Sequence, residues 1–323
     1  MGMERRVTAV LACLVLGGGL SAAGAPGGGR GEVPAVPLDA PVAHGPDAST
    51  GRVVADCGRN GERHYNEDNL VVSPGVRAGA HHTHAYVGNL STTAASTDAS
   101  LAAAATSCRD GDRSTYYWPV LRRTDLPGRE AYERAAGHHG NAGRILREAA
   151  VTVEFRGNPV SKVVAMPRFL RGITGDAVAH TAADASRVRA AWGCAGLPGL
   201  ATVRYPRCPG GDRITRTLVF PSCWNGLDTA APDHRAHLTF PAGNGACAPG
   251  TFPVPALRLS LVYEPVPPGT PLALDSFPEQ QHSPRTDHAM FVNVMDPAAM
   301  ERVVDCINSG RSCRGSRDSS GSG

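Results

Sequence analysis

The chain has 323 residues and carries 32 Lys and Arg against 29 Asp and Glu, a formal net charge of +3. A balance this close excludes a nucleic-acid binder held by electrostatics alone. Lys162 is the single lysine, and the excess of Arg, Ala and Gly reads as high-GC bacterial codon bias rather than as a functional signal.

The elements follow in chain order. Residues 1–25 have the layout of a secretory signal peptide: a basic Arg5-Arg6, an apolar run Val7–Leu20, and the small residues Ala22-Ala23-Gly24-Ala25 for cleavage after Ala25. The run falls short of the ~20 residues that span a bilayer, and no later segment is long and apolar enough to do so. Cleavage removes Glu4, Arg5 and Arg6 and leaves a net charge of about +2. Residues 26–52 are rich in Gly, Pro and Ala and read as a flexible linker. Residues 53–308 then form a single domain, and 309–323 a flexible Ser/Gly/Arg tail. β-Branched or alternating runs bounded by Gly and Pro predict strands over Val151–Phe155, Val160–Met166, Ala201–Tyr205, Ile214–Phe220, Leu257–Tyr263 and Ala289–Val294. Helices are expected over Arg129–Ala136, over Ala182–Trp192, and from Pro297 to Ile307 behind an Asp296 cap. The fold class is a mainly β single domain (all-β or α+β), loop-rich, with a few short peripheral helices.

Eight cysteines remain after the signal: Cys57, Cys108, Cys194, Cys208, Cys223, Cys247, Cys306 and Cys313. An even number in an exported chain implies up to four disulfides, with local loops open to Cys194 and Cys208, to Cys223 and Cys247, and to Cys306 and Cys313. No CxxC pair is present, which argues against a ribbon-type structural zinc.

The chemistry concentrates in His81-His82-Thr83-His84-Ala85-Tyr86-Val87-Gly88-Asn89. On a strand, His82 and His84 share a face. A distant pair, His234 and His237, shares a face only on a helical turn. Together they suit a divalent metal such as zinc or copper, with His82, His84 and His237 as ligands and Asp98 or Asp233 orienting them, or metal-free base catalysis. Purely structural histidines are the third reading. A copper brace needs an N-terminal histidine, and cleavage leaves Pro26. Arg235 and Asn89 are placed to stabilise developing negative charge. Tyr117, Trp118, Trp224 and His288 are candidate substrate contacts, since aromatic faces stack on sugar rings; core packing competes with that role for each Trp. A GxSxG elbow and a Gly-rich phosphate loop are both absent, and His138-His139 reads as a solvated loop.

Several islands then occur together: His64-Tyr65-Asn66-Glu67-Asp68-Asn69, the HxHxxxGN block, Thr97-Asp98-Ala99-Ser100-Leu101, Ser114-Thr115-Tyr116-Tyr117-Trp118-Pro119, Phe220-Pro221-Ser222-Cys223-Trp224-Asn225-Gly226, Asp233-His234-Arg235-Ala236-His237 and His288-Ala289-Met290-Phe291-Val292-Asn293. Over roughly residues 55–308 this series resembles the domain-of-unknown-function 1996 family, secreted proteins of fungi and actinobacteria. The resemblance implies no established activity. It tilts the expectation towards cell-wall or extracellular polysaccharide, as substrate of a glycan-cleaving hydrolase or lyase or as ligand of a non-catalytic adhesion module. Two departures bear on activity: Ala85 and Met290 stand where relatives often carry acids.

Overall fold

A computed structural model of the chain describes residues 36–38, 42–128 and 140–315. The expected signal peptide and the helix expected over Arg129–Ala136 lie outside the described residues, as do His138 and His139.

Apolar residues alternate along Ala256–Tyr263, so Leu257, Leu259, Leu261 and Tyr263 all turn to one face and are buried. This strand pairs antiparallel with Ile214–Val219 on one side and Glu148–Arg156 on the other. Trp192–Cys194, Arg52–Ala55 and Ser312–Arg314 complete a six-stranded sheet, the last joining Arg52–Ala55 in parallel. A second sheet has five strands in the order Tyr65–Asn66, His84–Gly88, Thr115–Pro119, His288–Val292 and Arg171–Gly175. Its inner face supplies Ala85, Val87, Tyr116, Trp118, Ala289 and Phe291 to the core shared with the six-stranded sheet. Its outer face supplies Tyr86, Tyr117, Met290 and Val292 to a separate cluster, roofed by Leu70, Val71 and Leu101. The second sheet is therefore buried on both faces, and its outer layer carries the histidines.

The mainly β expectation holds, as do the strands at 151–155, 214–220, 257–263 and 289–294 to within a residue or three. The last helix is Pro297–Asn308, with the Asp296 side chain accepting from Ala298 N. Three expectations are corrected. Residues 160–166 are not a strand: the Asn158 side chain takes the N–H groups of Val160 and Ser161, and Asn308 bonds both backbone groups of Val163. Of the 201–205 run, Ala201 belongs to the two-residue strand Leu200–Ala201 and Thr202 makes a single bridge to Trp192, while 203–205 form no strand. Residues 182–192 are turns, because Asp184 captures Ser186 N and Oγ and Trp192 is drawn into the sheet. One helix escaped notice, Asp98–Ala103, capped by a reciprocal Thr97–Ser100 box in which Ser replaces the usual Glu.

All three local disulfides form, and Cys57 pairs with Cys108. Four such bonds belong to a protein that matures in an oxidising setting. Described pairing extends on both sides of 53–308: Ser49 is buried and bonds Asn158 and Ser161, and Ser312–Arg314 is a sheet strand. Among the described residues, no helix is long and apolar enough to cross a membrane.

Candidate metal centre

Strand parity puts His84 on the outer face of the second sheet, with Ala85 turned inward. His84 pairs with Pro119, and Met290 pairs with Tyr117, so His288 lies level with Pro119 on that strand's other side. His82 arrives from the bend preceding His84. That bend is held by Thr83, whose N–H donates to Asp275 and whose carbonyl accepts from Val120. Asp275 is itself locked to Arg122 by two bonds of 2.5 and 2.9 Å, both side chains almost fully buried. On the other flank, fully buried Arg216 grips Asp287, the residue before His288, through two guanidinium nitrogens, and also donates to the Pro119 carbonyl.

The three histidines offer one ligand nitrogen each within 4.8 Å of one another, and all are buried. The proton positions follow from what each nitrogen faces. A carbonyl only accepts, so Nδ1 of His84 donates to Asp68 O at 3.0 Å and Nδ1 of His288 to Thr286 O at 2.7 Å. Both Nε2 atoms are then lone pairs. His82 Nε2 lies 3.2 Å from His288 Nε2, so without a cation it carries the proton and donates. That leaves His82 Nδ1 and His84 Nε2 buried with no hydrogen-bond partner, at a cost of about 1–3 kcal/mol each. A cation would take up the unpaired His84 Nε2: with the His82 proton on Nδ1, the Nε2 lone pairs of His82, His84 and His288 are all free to ligate. Two zinc ligands at tetrahedral geometry lie about 3.3 Å apart, close to the 3.2 Å found. Carbonyls that fix ring tautomers are the usual support of metal-bound imidazoles. The group could hold a metal.

Burial also keeps the three rings neutral. Desolvation, then the neighbouring His288, pushes His84 from 6.5 down to about 3. Desolvation and the charges of His84 and His288 push His82 well below 6.5, and desolvation lowers His288. In the unfolded chain they titrate near 6.5, so below that pH the unfolded state binds more protons. The metal-free protein therefore loses stability as pH falls below about 6.5, the His84 share continuing down to about 3 at up to 1.36 kcal/mol per unit. Buried Asp112 and Glu148, both raised by desolvation, act with the opposite sign. The histidine share is read as the difference between wild type and His84→Gln in denaturant melts across that range. Equal slopes in the two proteins would contradict it.

His82 and His288 line a pocket of about 290 Å³ together with Asp176, Asp233, His234, Arg235, Phe277 and Met290. Arg235 is half-buried and donates from Nη2 to the Gly175 carbonyl. Desolvation and then Arg187 lower its pKa. Asp233 caps the local turn by accepting from Arg235 N and Ala236 N.

The expected residues divide accordingly. His82, His84 and His288 converge, and His234 and Arg235 reach the same pocket. His237 is corrected as a ligand: Nδ1 accepts from Ala231 N and Nε2 donates to Arg171 O, so both nitrogens are spent on holding the 231–237 turn. His234 adopts a left-handed backbone (φ 60°), which breaks the helical spacing that would have aligned it with His237. Asn89 is corrected too. It is fully buried, its amide donates to Leu101 O and Arg113 O, and its oxygen accepts from Ser91, so nothing is left for substrate. Tyr117 and Trp118 have no exposed surface; their polar atoms bond Asn69 and Glu148. Trp224 is half-buried beside Cys223 and donates to Asp228 O, outside the pocket. Asp98 pairs with Arg171 rather than with a histidine. Of the two departures, Ala85 faces the apolar core and Met290 faces the pocket. The sequence reading missed Asp176, Phe277 and the Arg122–Asp275 anchor. The last had a signal: charges directly ending apolar runs, Val120-Leu121-Arg122 and Leu272-Ala273-Leu274-Asp275.

Residues 69–291 match a family model described as Domain of unknown function (DUF1996), a span that contains all three converging histidines. No curated protein and no solved structure matches the chain.

Proposed function

The chain belongs to the DUF1996 family, and from that footing we propose that it is an exported metalloenzyme that cleaves extracellular or cell-wall polysaccharide by hydrolysis or elimination. The observation that carries this reading is the set of three buried imidazoles, two of them oriented by carbonyls, whose free nitrogens lie within 4.8 Å. Three neutral imidazoles with a fourth position open towards a pocket suit zinc, which when bound polarises a substrate oxygen or lowers the pKa of water. His82, His84 and His288 hold it. Arg235, pinned through Gly175, meets anionic oxygen on the substrate. Phe277, half-buried against His82, gives the pocket an apolar side beside the carboxylates of Asp176 and Asp233. The volume sits at the small end of the ~300–1,000 Å³ usual for ligand sites, which suits one sugar unit of a longer chain.

The rival reading, a non-catalytic glycan-binding module, would need an aromatic platform. Tyr117 and Trp118 are closed off, which leaves it Trp224 with its cross-strand neighbour Phe252, outside the histidine pocket. Elemental analysis of protein purified without chelator, followed by a product screen on a glycan panel before and after metal removal, tests the proposal. One equivalent of zinc or copper and metal-dependent products are expected. A metal-free protein with no affinity for either ion, or products unaffected by chelation, would sink it.

A further inference from the structure

A groove of about 910 Å³ shares no lining residue with the histidine pocket. Arg204, Arg207 and Arg285 line it. Among the described residues, none of the three guanidinium groups has an ion-pair or hydrogen-bond partner. The single acid on the wall, Asp212, is already committed, accepting from Gly196 N and Arg213 N. With three arginines against this one carboxylate, the groove is positive by composition.

It is also rigid. Cys208 is bonded to Cys194, and Tyr205, between the two arginines of the 204–207 stretch, donates its hydroxyl proton to His282 O and accepts from Leu274 N. Tyr205 also packs edge-on against Trp192 at 5.1 Å. Five prolines line the walls, so little chain entropy remains to be lost on binding. Their ring C–H faces are apolar, whereas the guanidinium forks are matched to planar or tetrahedral anions.

We propose that this groove is a second, non-catalytic binding site for an anionic polysaccharide, holding carboxylate or sulfate groups on Arg204, Arg207 and Arg285 with the sugar backbone along the proline walls. The site stands on its own residues and does not depend on the metal reading.

The test is binding of the full chain to polygalacturonate, dextran sulfate and unmodified dextran, measured by calorimetry at about 50 mM and about 500 mM NaCl. Wild type is expected to bind at least one of the two polyanions, weaken with salt and ignore dextran; which polyanion binds tells carboxylate from sulfate. The variant Arg204→Ser, Arg207→Ser, Arg285→Ser should lose about tenfold or more in affinity. A control with the same charge change on exposed arginines off the groove, Arg77→Ser, Arg147→Ser, Arg314→Ser, should stay close to wild type. The proposal is overturned by no binding to either polyanion, by equal binding of dextran, or by equal losses in the two variants, which would leave only net charge. Binding of polyglutamate but neither polysaccharide would also overturn it in favour of an acidic protein partner.

Discussion

His288→Ala loses metal affinity by more than about a hundredfold and all metal-dependent activity, whereas His237→Ala retains bound metal. Second-sphere losses alone cost about 10–100-fold in metal sites, and removing a ligand costs more. His288 supplies one of the three converging lone pairs, and its other nitrogen is tied to Thr286 O. His237 has neither nitrogen free, so its removal leaves Ala231 N and Arg171 O unpaired and lowers stability instead, by about 1–3 kcal/mol. Metal stoichiometry by elemental analysis and zinc titration separate the two variants, with near-ultraviolet circular dichroism as the folding control. The reverse pattern, metal lost with His237 and kept without His288, would refute the centre.

The second large effect falls on stability. Asp287→Ala is expected to destabilise the fold by about 3–5 kcal/mol, because it strands the fully buried Arg216 guanidinium. Burying a charge without its partner costs far more than the pair itself contributes, so replacing both residues together recovers much of the loss. Arg216→Met with Asp287→Leu should melt well above Asp287→Ala in thermal unfolding with the disulfides intact. Because Arg216 also donates to Tyr263 and to the Pro119 carbonyl, the double variant is expected to remain below wild type. It should also weaken metal binding, since Asp287 sets the start of the strand that carries His288. A single Asp287→Ala as stable as wild type would show that the pair does not anchor the site.

What could be read along the chain is whatever depends on neighbours in sequence. The alternation of His82, Thr83 and His84 implies one shared strand face; the two rings do come within 4.7 Å of each other, but from a bend at His82 that precedes the strand His84–Gly88. The Asp296–Pro297 cap starts its helix as expected, and the three short cysteine spacings close locally. The same logic overreached wherever side chains competed for the backbone. Asn158 with Asn308 dissolved the strand expected at 160–166, and Asp184 prevented the helix expected at 182–192.

Tertiary structure alone decided the membership of the site. His288 joins His84 because antiparallel register sets both at the level of Pro119, a pairing between positions some two hundred residues apart that no local pattern encodes. His237 leaves because a left-handed turn at His234 redirects it onto the Arg171 carbonyl. The burial of Tyr117 and Trp118, two aromatics that by composition suit a sugar platform, follows from a sheet covered on both faces. Residue type and spacing thus determined that this protein has a histidine site and a disulfide-stapled β fold. Long-range strand register and two buried Arg–Asp pairs determined which imidazoles face one another, because only packing sets the direction of a lone pair.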